Sequence, residues 1–366
     1  MRLEGIDILR GLAVTLVVLY HFFELLGLQH HILYPYISSI GQLGVPLFFI
    51  ISGYLIYRSV DYSISRHGMK SGLKQYFSHR IFRILPAYYF NFIIVFILAF
   101  YVFDTMSTWP SSFIEKQIYA HLTFSSFFIY KTSGLGINGA YWTLSIEMLW
   151  YIVVPFLYIY IKKDRYFILL FILSILYLLA LDFSLFNTIL NIDKSDPNYL
   201  ALLFYWSFQL PGQLIYFIAG IFIYKYSEGK IFIPRYVQYL LFLFIMLLFT
   251  YLSTQKYFLN SFTIKNAITL MATTSLFIVF YRLERKELHL LAWIGKISYS
   301  LYLWHMPLLF LMQKYMPLTS FSLVWVSVVF LVLFLIISSL SYYLVEEYGF
   351  TLRKRFEKYQ IPKFKL

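Results

Sequence analysis

The stretch SSFIEKQIYAHLTFSSFFIYK, residues 111–131, decides how often this chain crosses a membrane. It is mixed in polarity and reads as an interfacial helix. Around it, apolar runs of near-spanning length fall at about 6–27, 42–58, 86–104, 140–161, 166–182, 200–224, 236–253, 263–281, 289–311 and 322–345, at ~1.5 Å per residue. Basic residues test whether 111–131 joins them. With ten spans and the N-terminus inside, 22 of the 30 Lys and Arg residues fall on the inner side. The outer side holds six: Lys116, Lys131, Lys194, Lys256, Lys265 and Lys314. Arg10 and Lys296 lie within spans. Counting 111–131 as a span would place "KKDR" (162–165) outside and invert everything after it, against the positive-inside rule.

The composition agrees. The chain has 366 residues, 60% of them hydrophobic and 13% charged, where a soluble domain averages about 25% charged. Abundant Phe (39) and Tyr (35) suit lipid contact and interfacial belts. With no cysteine, disulfides, thiolate nucleophiles and Cys-based metal sites are excluded. No A-x-A-like cleavage site follows the first apolar run, which reads as a retained helix. The net charge of +13 reports topology rather than nucleic-acid binding. The expected fold is therefore all-α and polytopic, with about ten transmembrane helices and both termini cytoplasmic. Residues 1–345 form the membrane domain and 346–366 a basic cytoplasmic tail. The loop "SGLGING" (133–139) contains a lone G-x-G-x-x-G, but it follows no βαβ strand and reads as a flexible outer loop.

Ionisable groups inside spans are costly and mark function. In "DILRGLAVTLVVLYHFF" (7–23), Arg10 and His21 are eleven residues apart, hence ~20° apart on one helix face and ~16 Å apart in depth. Asp7, a turn before Arg10, is placed to pair with it. In "YWTLSIEMLWYIVVP" (141–155), Glu147 is the one acid deep in an expected span; it needs a partner or a proton. In "IGKISYSLYLWHMPLL" (294–309), His305 precedes Pro307 by two residues. Either it satisfies backbone groups freed by the proline kink, or it joins a polar site. Measured along their spans, His21, His305 and Glu147 lie ~21–22 Å from the inner side, which predicts one shared level. Nearer the inner side, "HRIFRILPAYY" (79–89) sets Arg80 and Arg83 a turn apart, close in depth to Arg10. They read as topology anchors or as an anion site for a phosphorylated cytoplasmic ligand.

Five stretches together resemble the membrane acyltransferase-3 family of OafA-like O-acetyltransferases, in the family's order and over nearly the whole chain. They are "IDILRGLAVTLVVLYH", "GVPLFFIISGYLI" (44–56), "RIFRILPAYY" (80–89), "YWTLSIEMLWY" (141–151) and "ISYSLYLWHMP" (297–307). The resemblance implies a ten-helix enzyme that moves an acyl group, usually acetyl, from cytoplasmic acyl-CoA to an acceptor at the other face. Family acceptors include surface polysaccharides, lipopolysaccharide O-antigen, peptidoglycan and membrane glycolipids. By position, His21 matches the family's key histidine and Arg10 its paired arginine. Arg80 and Arg83 match the donor-side arginines, and Glu147 the membrane glutamate.

Pro46 stands where many members have an acid, and Met148 where a second glutamate is common. The chain stops 21 residues after the tenth span, so the stand-alone form is expected, without the C-terminal hydrolase-like domain of many relatives. The expected protein is then an acyl-CoA-dependent O-acyltransferase of the cell (inner) membrane. Its acceptor is a cell-surface glycan or lipid-linked saccharide. It meets membrane lipids, uses no metal and binds no nucleic acid. His21, Glu147 and His305 are its catalytic candidates; Arg10, Arg80 and Arg83 are its donor-binding candidates. The rivals are a glycolipid or small-solute transporter and a polysaccharide polymerase.

Overall fold

A computed structural model describes residues 4–103, 106, 109–128, 137–185, 199–227, 234–253, 255, 261–281 and 288–360. Gly134 and Gly136 of the glycine loop lie outside these residues, as do Lys131, Lys194 and Lys256. The chain is an all-α, polytopic membrane protein: among the described residues, eight helical stretches are long and apolar enough to cross a membrane. One of them, Tyr34–Tyr101, carries two of the ten expected runs. The run at 289–311 is not among the eight. Its main helix buries Ser298, Ser300, His305 and Pro307 together with its apolar residues. A helix enclosed by protein needs no lipid-compatible surface, so its hydropathy can fall.

The helices are α1 (Glu4–Leu25), α2 (Tyr34–Gly41), α3 (Gly44–Tyr101), α4 (Ser111–Leu122), α5 (Tyr141–Ile161), α6 (Asp164–Asp182) and α7 (Tyr199–Ser207). They continue as α8 (Leu210–Ser227), α9 (Arg235–Ser253), α10 (Phe262–Tyr281), α11 (His289–Lys296), α12 (Ser298–Tyr315), α13 (Leu323–Ser341) and α14 (Glu347–Gln360). A single π-helical turn, Tyr342–Glu346, joins the last two. α3 is two arms broken at Gly68, whose φ of 73° is open to glycine and strained for other residues. The residues fall into two compact units.

The first unit comprises 1–20, 29–58 and 152–296. Its helices touch through glycine. A Cβ built on Gly53 would stand 2.1 Å from the Phe217 carbonyl oxygen, and one on Gly220 would stand 2.1 Å from that of Ile50. α3 and α8 therefore cross backbone to backbone, the close approach that drives association where lipid removes the hydrophobic force. Asp182 closes α10 at its start, accepting from the amides of Phe262 (2.6 Å) and Thr263 (3.0 Å) and from Ser261 (2.9 Å).

The second unit comprises 21–28, 59–151 and 297–366. α12 runs alongside the second arm of α3 in the same direction. The Tyr299 hydroxyl donates to the Ile84 carbonyl (3.2 Å), and Trp304 and Phe310 meet Phe90 and Phe103. α5 runs the opposite way, with Tyr151 beside Arg80 and Tyr141 beside Tyr88 and Asn91. α14 packs on the inner part of the same arm: Phe356 meets Phe82, and Glu357 meets His79 (3.0 Å) and Arg353 (3.7 Å).

The segment expected to lie at the interface does something else. α4 folds back along α3, and the hydroxyls of Tyr88 and Tyr89 donate to the carbonyls of His121 (3.0 Å) and Leu122 (2.8 Å). Those residues lie ~18 Å back from the Tyr101 end of α3. Gln117, Ala120 and His121 are fully buried. The two tyrosines supply hydrogen bonds that the last carbonyls of a helix otherwise lack, so α4 ends with one face on protein while Tyr119 and Leu122 stay exposed on the other.

Candidate active site

Two polar layers occupy the second unit. The first surrounds Arg80. Its guanidinium lies 5.6 Å from the Tyr76 ring centre and 5.4 Å from that of Tyr151, cation–π distances on two sides. The Tyr76 hydroxyl donates to the Tyr151 carbonyl (3.0 Å), and the Tyr151 hydroxyl donates to Glu147 (2.6 Å). The charges of Glu147, Arg80 and Arg83 all act on that hydroxyl. Glu147 thus belongs to the arginine layer.

The second layer holds the histidines. His305 is fully buried, with its Nε2 3.3 Å from His21 Nδ1 and the two ring centres 5.1 Å apart. Its Nδ1 lies 2.6 Å from the Tyr302 carbonyl. A carbonyl can only accept, so His305 Nδ1 carries the proton and its Nε2 is an acceptor. His21 Nδ1 must then donate, which leaves the basic lone pair of the neutral ring on His21 Nε2. The Tyr302 hydroxyl continues the layer to Thr143 (2.7 Å) and the Ala140 carbonyl (3.2 Å).

Pro307 has a separate partner. It removes the amide that would bond the Leu303 carbonyl, and the Asn138 side-chain amide takes that carbonyl at 3.1 Å. His305 is therefore not the group that satisfies the proline kink.

The expected common level holds for His21 and His305, not for Glu147. Thr143 is level with Tyr302; Glu147 is one turn further along α5, and His305 one turn the other way along α12. Glu147 therefore lies ~10 Å from the histidine level, toward the arginines. The depth estimate assumed that the run beginning near 140 starts at the membrane surface. Instead α5 begins beside Asn91, well short of the Tyr101 end of α3, because the folded-back segment occupies the space beyond it. Arg10 stands half-buried on α1 in the first unit, and Arg83 half-buried beside Arg80 in the second.

Sequence reasoning passed over Asn91, Gln117, His121 and Tyr302. His121 could have been found by the argument applied to His21, had 111–131 been taken as buried. It also passed over Glu346, which ends the π-helical turn just past the last apolar run. That carboxylate is 4% exposed and accepts from Ser300 at 2.5 Å. Among the described residues, no three His, Cys, Asp or Glu side chains stand together as a metal site.

A buried histidine bonded to a half-buried one, with both tautomers fixed, above an arginine–carboxylate layer in a helical membrane protein, forms a class of site suited to proton-assisted group transfer. Residues 3–343 match the acyltransferase domain of the acyltransferase-3 family, and the chain belongs to that family. It is 26% identical over 299 residues to ORF330 of Acidianus two-tailed virus, a proposed acetyltransferase, covering 81% of each chain. It is 26% identical to the peptidoglycan O-acetyltransferase OatA of Listeria monocytogenes, covering 93% of this chain and 55% of that protein. It is 27% identical to the O-acetyl transferase of Shigella phage Sf6, covering 60% and 62%. The chain thus spans little more than half of the listerial relative. No solved structure matches it.

Proposed function

We propose that this acyltransferase is an O-acetyltransferase that moves acetyl from cytoplasmic acetyl-CoA to a hydroxyl of a cell-surface glycan or lipid-linked saccharide. The observation that carries the reading is the His21–His305 contact (3.3 Å), with the Tyr302 carbonyl fixing both tautomers. An alcohol is a weak nucleophile until a base takes its proton. His21 Nε2 is that base: it accepts the hydroxyl proton as the oxygen attacks the thioester carbonyl carbon. The C–S bond then breaks, and the proton on His21 passes to the departing CoA thiolate. His305 is a positioning residue that keeps the lone pair on Nε2.

Arg80 and Arg83 receive the CoA phosphates: the Arg80 guanidinium is held on two aromatic faces, and guanidinium groups present donors suited to phosphate oxygens. Glu147, bonded to Tyr151, orients that layer rather than His21. The names of the relatives support both acetyl as the group and a saccharide as acceptor. The charge distribution supports ten spans in the cell (inner) membrane with both termini cytoplasmic. Reporter fusions after Gly68 and Lys163 should then read cytoplasm, and one after Gly136 the outer face.

The deciding experiment gives purified protein labelled acetyl-CoA. Label transferred to saccharide, lost ~10²–10⁴-fold in His21→Ala with acetyl-CoA binding retained, supports the reading. A transporter would be indifferent to acetyl-CoA, and a polymerase would use a glycosyl donor. Wild-type protein that neither transfers nor hydrolyses acetyl-CoA overturns it. Acid-quenched protein given donor alone should carry no label on His21.

A further inference from the structure

The folded-back helix α4 brings a second set of buried polar groups to the histidine level. Asn91, Gln117 and His121 are each 0% exposed. Four of their side-chain atoms, Asn91 Nδ2, Gln117 Nε2 and Oε1, and His121 Nε2, have no hydrogen-bond partner among the described residues. Leaving one such group unmet in protein costs ~1–3 kcal/mol, so four kept together mark a place that holds water or a polar ligand.

These groups belong together. Gln117 and His121 lie one turn apart on α4, and the His121 ring stacks on Phe92 at 5.5 Å and 12°. The Tyr141 ring meets His121 edge-on at 5.6 Å, while its hydroxyl donates to Asn91 Oδ1 at 2.5 Å. Tyr141 is two residues from Thr143, the partner of Tyr302, so it lies within a few ångströms of the His305 level.

The hydrogen-bonding character of the set selects the ligand. His121 Nδ1 lies 2.8 Å from the Gln117 carbonyl, so it carries the proton and Nε2 is an acceptor. The set therefore offers two donor groups, the Asn91 and Gln117 amide nitrogens, and two acceptors, Gln117 Oε1 and His121 Nε2. A carboxylate or phosphate would face the acceptors and be repelled; an ammonium would face the amide hydrogens. Hydroxyl groups donate and accept, and suit both. The rings of Phe92, Tyr88 and Tyr141 add apolar faces for the C–H side of a sugar.

We infer that Asn91, Gln117 and His121 form a subsite for the hydroxyls of a neutral saccharide, beside the histidine pair. The inference rests on the acetyl-transfer reading for what the saccharide is doing there: it is the acceptor.

Equilibrium dialysis of the purified full chain in detergent tests this without turnover, using tritiated maltotetraose, chitotetraose and a rhamnose trisaccharide as probes. Wild-type protein should bind at least one at millimolar concentration. Gln117→Leu removes two hydrogen bonds and should weaken that binding ~10-fold, without changing acetyl-CoA affinity. Its melting temperature without sugar should stay level or rise, because leucine has no polar atoms to leave unmet. A glutamine with a purely structural role would give a lower melting temperature and unchanged sugar binding.

His121→Phe preserves the stack on Phe92 and should also weaken sugar binding, which covers the case of a Gln117→Leu protein that does not fold. Wild type that binds none of the three probes, or both variants binding as wild type does, overturns the subsite. Wild type that binds sugar through Gln117 and transfers no acetyl instead overturns the transferase reading. The two failures are distinct.

Discussion

Replacing His305 by phenylalanine separates the orientation of His21 from its presence. The ring remains, so the packing against Tyr302 (5.4 Å) and His21 (5.1 Å) changes little. What goes is the Nε2 acceptor 3.3 Å from His21 Nδ1. A net hydrogen bond is worth ~0.5–1.5 kcal/mol and a buried unmet donor costs ~1–3 kcal/mol. Together they bracket a loss of ~2- to 150-fold, and we expect kcat to fall ~10- to 100-fold. His21→Ala removes the base and should cost more, ~10²–10⁴-fold. His305→Gln offers an amide oxygen to His21 Nδ1 and should recover part of the loss.

The assay is single-turnover transfer from labelled acetyl-CoA across pH. His305→Phe should displace the acidic limb of the rate profile, where protonation removes the base, because His21 Nδ1 has then lost its acceptor. A double variant with His21→Ala should be no slower than His21→Ala alone, since positioning has no effect once the base is gone. Wild-type kcat in His305→Phe would refute the positioning role. So would equal loss in the Phe and Gln variants with an unmoved pH profile.

Four further outcomes follow from the geometry. Gly53→Ala places a Cβ 2.1 Å from a backbone oxygen and should cost ~1–3 kcal/mol, read as a lower melting temperature in detergent. Tyr88→Phe strips the cap from the His121 carbonyl and should speed hydrogen exchange at the end of α4, by ~5-fold or more. Arg80→Ala with Arg83→Ala should weaken acetyl-CoA binding and flatten its salt dependence; unchanged affinity would make these arginines topology anchors. The fourth concerns pH: burial, then the Arg353 and Arg80 charges, hold His79 below the ordinary histidine range, against the pull of Glu357. A histidine with a lowered folded pKa contributes stability that is present above its unfolded value, ~6.5, and is lost as pH falls through the folded value. Exchange of 347–360 should therefore rise on acidification, and His79→Phe should flatten that rise.

The helical, polytopic character was legible in composition, run length and the placement of lysine and arginine. His21 and His305 were legible too, because a titratable ring is costly in an apolar run and persists there only with a task. Glu147 was legible as an acid deep in a span, but it lies nearer the arginines than its run suggests, since hydropathy gives the length of a run and not where along the bundle it starts. Gln117 and His121 escaped notice because their segment is too polar to read as a span, although protein covers the face that carries them. Asn91, uncharged within an apolar run, gains its meaning only beside them. One face of α4 lies against its neighbours and the other stays exposed, so its mixed polarity carries no hydropathy signal of the buried side. Glu346 escaped for the opposite reason: the apolar run ends one residue before it.

The oxygen that fixes the histidine tautomers belongs to the main chain. Every residue that could stand at position 302 presents the same carbonyl, so no substitution there deletes the acceptor, and the tyrosine hydroxyl remains available to Thr143. The direction of the hydrogen bond between the two rings is thereby tied to the path of a helix, not to the identity of a side chain. Selection can rework the chemistry around His21 residue by residue and inherit the polarity of the pair unchanged. Reversing it would take a distortion of α12 itself, and Asn138 clasps that helix at the next carbonyl along.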